Sequence, residues 1–421
     1  MRKKFSHRPI SIGTCKFVQL RFLVLTLCAL CVLSGEFFAQ EFRQTHPGIE
    51  YAQVEHTIGE DPVKINLLRL DLTKVRLNVR LGMDQIVGTE TTSSIATRHG
   101  AVAAINAGFF RLDSSEFAGT PAGVVMVDGE LLSESRNNRI GIAINNKENR
   151  TYVNFYHIRT QILAGFGIDS GFTFDGINRE RNPDEIVLFT HRFADSTKTD
   201  GSGIEIVLSN CESRDFSKWC KNAEIIEGKG NNPIPKNGLV ISIGKNAIDK
   251  SNNILHFAKC TNKRPLEFDC YLRIVRKAAD ISDRNPFSAL GFDDITNGVP
   301  QLIKDGKIDI TWEQEKASRA FIFNRHPRTA VAKLKDGKFL MITVDGRQTG
   351  VSVGMTLQEL AEYLLSLGAV EAMNLDGGGS TTMVLDGKVV NKPSDPTGER
   401  KIGDAIVVTL RETARPASRK N

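Results

Sequence analysis

Asp-Gly pairs recur at Asp128, Asp305, Asp336 and Asp386, the last three each followed by lysine and flanked by apolar residues. No other feature constrains the fold of this chain as strongly. An Asp-Gly pair between apolar runs marks a tight hairpin, because a type I′ turn needs positive φ at two successive residues. The segments between these pairs supply strands. Val63-Lys64-Ile65-Asn66-Leu67 and Val75-Arg76-Leu77-Asn78-Val79 alternate apolar and polar side chains, as antiparallel strands with one buried face do. Ala405 to Leu410 reads as another buried strand. The expected class is α+β: β-rich mixed sheets with a few packed helices, forming one large domain.

One helix is well specified. Thr356 and Glu359 form a capping box ahead of Leu357, Leu360, Ala361, Leu364 and Leu365, and Gly368 supplies the stop. The strand Ala369 to Leu375 then runs into Asp376-Gly377-Gly378-Gly379-Ser380-Thr381-Thr382. Three glycines beside an acid suit either a tight turn or a place where a polar ligand approaches the main chain. A similar unit precedes it in the chain. Ser94 is read as the cap of a short helix ending at Gly100, and Gly100 to Asn106 shares five of seven residues with Gly368 to Asn374. Small apolar residues are common in buried strands, so chance could produce the match. The functional reading is that both units deliver an asparagine and a glycine-containing loop to one site from two neighbouring strands.

The ends of the chain differ from its middle. Arg2, Lys3, Lys4, Arg8, Lys16 and Arg21 precede the apolar run Phe22 to Leu33, and small residues follow. That order describes an export signal covering residues 1–39, with cleavage near Ala39. An uncleaved anchor is the minority reading, since a membrane span needs about 20 apolar residues. Removing this segment takes the net charge from +6 to about +1, so the basic balance belongs to the signal and implies no nucleic-acid partner. Residues 40–99 read as an N-terminal β segment, 100–411 as the functional domain, and 412–421 as a basic tail.

Export also fits the cysteines. Beyond the signal remain Cys211, Cys220, Cys260 and Cys270, an even number suited to two disulfides, preferably 211–220 and 260–270 among three connectivities. A zinc site is the alternative, without Cys-x-x-Cys spacing or a histidine pair to support it. No metal or other cofactor is expected. All four lie in the irregular stretch 145–286, read as a disulfide-stapled insertion. The expected location is periplasmic or extracellular.

Polar groups gather around three further strands. Pro327-Arg328-Thr329 opens one strand, Asp345-Gly346-Arg347 ends the next, and Asn391 to Arg400 precedes the last. Each arginine taken alone is more often a surface ion pair, and each aspartate before glycine a turn former. Together they make a coherent site for an anionic sugar.

These segments, with Ala104 to Phe110, Ser352 to Leu357 and Asn374 to Thr382, resemble the phosphodiester glycosidase family in content and order. The 145–286 stretch matches no family feature. The resemblance implies cleavage of a sugar from its anomeric phosphodiester, on envelope or extracellular glycoconjugates. It makes Asp376 and Asp345 the catalytic carboxylates, one the nucleophile or base and the other the acid. Arg328, Arg347 and the Gly377, Gly378, Gly379 loop are assigned to the phosphate. Asn106 is assigned to sugar hydroxyls or to orienting a carboxylate, and Phe109 to a wall of the sugar site. Thr329, Ser380 and Arg400 complete the binding set. The expected partner is a phosphorylated glycan or sugar-1-phosphodiester, and membrane contact is expected only through an uncleaved N-terminus. The alternative is a noncatalytic envelope carbohydrate-binding or exopolysaccharide-assembly protein.

Overall fold

The computed structural model describes residues 41–165, 171–214, 217–251, 254–255, 258, 266–275 and 292–411. The signal at 1–39, Cys260 with its expected pairing, and the tail at 412–421 lie outside the described residues.

Antiparallel pairing dominates. An eight-stranded sheet has the spatial order Arg43–His46, Ile49–Ile58, Asp61–Leu70, Phe339–Val344, Arg328–Leu334, Ala369–Asn374, Gln301–Lys304, Lys307–Ile308. A five-stranded sheet runs Lys388–Val389, Met383–Leu385, Ala103–Asn106, Asp404–Leu410, Val75–Leu81. The third sheet joins Val125–Val127, Asp294–Asn297 and Ile140–Asn146 to strands from the 145–286 stretch, among them Thr151–Gly165, Ile204–Arg214 and Ser217–Glu227. One hydrophobic core draws on all three sheets: Leu68 and Met341, Ile105 and Ile406, Ile142 and Phe189 are fully buried in the same cluster. The β-rich expectation holds.

Of the Asp-Gly hairpins, those at Asp128, Asp305 and Asp386 have positive φ at both residues, as type I′ turns require. Asp336 is different. Only Gly337 has positive φ (82°), and its N–H donates to Leu334 O at 3.0 Å, while the Leu334 N–H donates to Lys338 O at 2.9 Å. The loop is three residues long, a type I turn closed by a left-handed glycine, and Asp336 stabilises it by accepting from the Lys338 N–H at 3.0 Å.

The capping box is present in full at the helix Leu357–Ser366, with Gly368 at φ 84° after it. The helix near residue 95 starts earlier than expected, spanning Thr92–Arg98. Its cap is Thr91, whose hydroxyl accepts from the Ser94 N–H. Cys211 and Cys220 are disulfide-bonded across the hairpin formed by Ile204–Arg214 and Ser217–Glu227.

Candidate active site

The glycine loop connects a strand of the eight-stranded sheet, Ala369–Asn374, to a strand of the five-stranded sheet, Met383–Leu385. Asn374 closes the first sheet's strand, and Asn106 closes a strand of the second. The Asp376 N–H donates to Ala107 O at 2.9 Å, and Asn106 Nδ2 donates to Asp376 O at 2.7 Å. The two similar sequence units therefore converge on one point, although their strands belong to different sheets. Asn106 is completely buried, and its Oδ1 accepts from Thr329 Oγ1 (2.8 Å) and the Thr382 N–H (3.0 Å). Two of these three contacts, to Asp376 O and the Thr382 N–H, hold the loop. Asn106 thus touches the backbone that carries Asp376, and Thr329, also fully buried, supports Asn106.

Each glycine has a distinct reason to lack a side chain. A Cβ on Gly377 would lie 2.8 Å from Pro327 O. Gly378 has φ +62°, and a Cβ there would lie 3.0 Å from Arg347 Nη2. On Gly379 a Cβ would lie 2.1 Å from Asp395 Oδ1 and 2.2 Å from Arg400 Nη2. The loop is thus packed under two guanidinium groups. Two of its three glycine N–H groups are already used: Gly377 donates to Asp376 Oδ1 (3.0 Å) and Gly378 to Pro327 O (2.9 Å). Any anion here is held mainly by side chains.

The arginines divide by environment. Arg347 is exposed, has φ +60°, and its guanidinium has no hydrogen-bond or ion-pair partner among the described residues. Arg400 forms a fork with Asp395, Nε to Oδ2 at 2.7 Å and Nη2 to Oδ1 at 2.9 Å. Arg328 is fully buried. It donates to the carbonyls of Met355 (2.7 Å), Phe321 (2.8 Å) and Asn324 (2.8 Å), and only Nη1 is unpartnered. Burial, then repulsion from Arg347, pushes its pKa down to about 9. Two like charges left facing each other favour an anion between or beside them.

Asp376 retains some exposed surface, but its carboxyl is enclosed, and desolvation raises its pKa to about 7. Ser380, Arg400 and the Gly377 N–H oppose the rise, while Asp404 adds to it. Ser380 Oγ lies outside hydrogen-bond geometry and, with Thr381 Oγ1 and Thr382 Oγ1, is buried without a partner. Three buried hydroxyls without partners on one loop are costly unless a ligand or water completes them.

Asp345 is buried, and burial raises its pKa. It accepts from Asn391 Nδ2 (3.1 Å) and the Lys392 N–H (3.1 Å). The same Asn391 amide donates to Thr381 O at 3.0 Å, so one side chain ties Asp345 to the end of the glycine loop. Phe109 is half-buried and meets Phe321 edge-on at 5.8 Å. Through Phe321, whose ring lies 5.0 Å below the Arg328 guanidinium, it reaches the arginine rather than standing alone as a wall.

Asp404 was missed from the sequence. It is buried, accepts from the Gly108 N–H at 2.8 Å and from Thr296 Oγ1, and burial raises its pKa to about 6. It begins a buried strand after Gly403, and an acid heading an apolar strand was the available signal. Among the described residues no group of three or more His, Cys, Asp or Glu is placed to hold a metal ion.

Residues 222–409 match the family model of phosphodiester glycosidases. That stretch contains Arg328, Asp345, Arg347, Asp376 and Arg400 but not Asn106 or Phe109, and it begins inside the 145–286 segment that was expected to match no family feature, so from residue 222 onward that expectation is corrected. An N-acetylglucosamine-1-phosphodiester alpha-N-acetylglucosaminidase of Bos taurus is 38% identical over 124 residues, 27% of this chain and 22% of that protein. The chain thus spans about a fifth of the length of this mammalian relative. An uncharacterized protein of Rickettsia conorii is 23% identical over 253 residues, 60% of this chain and 77% of the relative. A hypothetical protein from Synechocystis shares the fold, with TM-score 0.68 and 23% identity over 89% of this chain and 64% of its own. A candidate exported protein from Burkholderia pseudomallei K96243 does likewise, with TM-score 0.66 and 23% identity over 83% of this chain and 74% of its own.

Proposed function

We propose that this chain is an exported hydrolase that releases a sugar from its anomeric phosphodiester. The observation that carries the reading is Asp376, a carboxyl whose pKa burial pushes up to about 7, on a glycine loop whose Gly378 packs against the unpaired Arg347 guanidinium, in the stretch that matches the glycosidase family. Breaking the glycosyl bond builds oxocarbenium character on the sugar and negative charge on the departing phosphate. Arg347 faces that charge and neutralises it, and Arg400 adds field from its fork with Asp395. Arg328 acts one layer below, fixing the segment whose Pro327 carbonyl holds the glycine loop.

Asp376 is poised to exchange a proton near neutrality or to attack the anomeric carbon, and Asp345 is the second carboxyl. The orphan hydroxyls of Ser380, Thr381 and Thr382 are offered to sugar or phosphate oxygens. The disulfide Cys211–Cys220 supports an oxidising compartment. Envelope or extracellular glycoconjugates are the proposed substrates.

The test is turnover of sugar-1-phosphodiesters beside simple aryl glycosides. Arg347→Ala should harm the phosphodiesters far more than the aryl glycosides. Equal losses on both would remove the phosphate from Arg347, and no turnover of any phosphodiester by the wild-type chain would sink the reading.

A further inference from the structure

A concavity lies next to the Ala107–Phe110 segment of this site. Phe110, two residues beyond the Gly108 that Asp404 holds, contributes to a cavity of about 650 Å³. Its far wall comes from Arg179, Glu180, Asn182 and Glu185, within the 145–286 stretch. The volume falls inside the range of sites that enclose small organic ligands, roughly 300–1,000 Å³. The entire lining precedes residue 222 and so lies outside the stretch that matches the family.

The character of the lining selects the ligand. Three arginines (Arg111, Arg136, Arg179) are balanced by three glutamates (Glu134, Glu180, Glu185). Arg179 donates Nε to Glu134 at 2.5 Å and forks onto Glu185 at 2.7 and 3.1 Å, and Arg111 donates to Glu180 at 2.5 Å. A phosphate or polyanion would have to displace these carboxylates, and an apolar ligand would strand the charges dry. A neutral polyol does neither. Its hydroxyls both donate and accept, so they can join Arg–Glu pairs at their edges while a sugar face lies against the half-buried Phe110 ring. Arg136 is exposed, and its guanidinium has no partner among the described residues, which leaves its donors available.

We propose that this cavity is a subsite for a neutral glycan segment, one or more uncharged sugar units attached to the phosphodiester that the neighbouring site cleaves. The link to cleavage rests on the function proposed above, but the binding does not. The insertion then supplies a recognition wall.

The experiment separates the two. The full chain carrying Asp376→Asn, which should bind without turnover, is titrated calorimetrically with neutral oligomers of glucose, mannose and N-acetylglucosamine. At least one should bind with Kd below about 10 mM and with little dependence on salt, because no net charge is neutralised. Adding Arg136→Ala or Glu180→Gln, both solvent-facing and tolerable to the fold, should weaken that binding about tenfold, the worth of roughly one hydrogen bond. Absence of binding across the three series, or binding indifferent to both substitutions, would overturn the subsite. Binding by a chain whose wild type turns over no phosphodiester would keep the subsite and discard the proposed reaction.

Discussion

Asp376 and Asp404 are both pushed above the ordinary aspartate range, to about 7 and about 6, and in each case burial is the largest cause. For Asp404 this fixes a sign. A carboxyl whose pKa is raised on folding ionises more readily in the unfolded chain, so ionisation opposes the fold. The opposition is absent below about pH 4, grows between about 4 and 6, and is complete above. Asp404→Asn removes the charge and keeps an acceptor for the Gly108 N–H. It should therefore melt higher than wild type at about pH 8 and no higher near pH 4. Thermal melts across that range decide it; a loss of the same size at every pH would mean that the buried charge does not oppose the fold. Asp376 carries the chemical counterpart. Asp376→Asn should reduce turnover by about three or more orders of magnitude with circular dichroism unchanged, since a proton carrier or nucleophile contributes about that much. Wild-type turnover should show an ionisation near pH 7 that this substitution abolishes; activity within tenfold of wild type would remove Asp376 from the chemistry.

At the scale of elements, the glycine loop illustrates what local sequence does and does not reveal. The capping box at Thr356 was legible because both its partners lie within four residues. The cap at Thr91 was not, since Thr91, Thr92, Ser93 and Ser94 are all competent N-caps and only the tertiary fit selects one. The three glycines were visible, but the neighbours that require them were not. Pro327, Arg347, Asp395 and Arg400 come from other strands and loops, and no spacing predicts that Gly379 packs under an Arg–Asp fork. This gives a contrast to measure. Gly379→Ala forces a Cβ to within 2.1 Å of Asp395 Oδ1, so the fork must open, and turnover should fall at least about tenfold. Gly306→Ala, at φ +70° with nothing within 4 Å, should cost only about 1 kcal/mol of stability and leave turnover intact. Equal effects on turnover would show that the close packing at Gly379 has no functional consequence.

For the whole molecule, alternation and turn residues made the β-rich character legible, but not which strands join. Thr151–Gly165 pairs with Leu266–Val275 across more than a hundred residues, and Asp61–Leu70 pairs with Phe339–Val344 across a longer gap. Period-two patterning says which face of a strand is buried, not which partner lies beside it. The same long-range pairing separates the disulfide from the chemistry. Cys211–Cys220 ties a hairpin within the sheet that includes the 145–286 strands, whereas Asp376 lies on the loop that connects strands of the other two sheets. Its crosslink spans nine residues, so in the chain-entropy account it stabilises the fold by at most about 3 kcal/mol. The hairpin is also held by paired backbone from Ile204 to Arg214, so its geometry does not depend on the bond. Replacing both cysteines by serine should lower the unfolding free energy by up to that amount and leave kcat and KM for a phosphodiester unchanged at 25 °C. Urea unfolding and steady-state kinetics on the same preparation test both halves. A fall in kcat while the double variant is still fully folded would show that the two parts of the molecule are mechanically coupled, against the separation argued from the sheets.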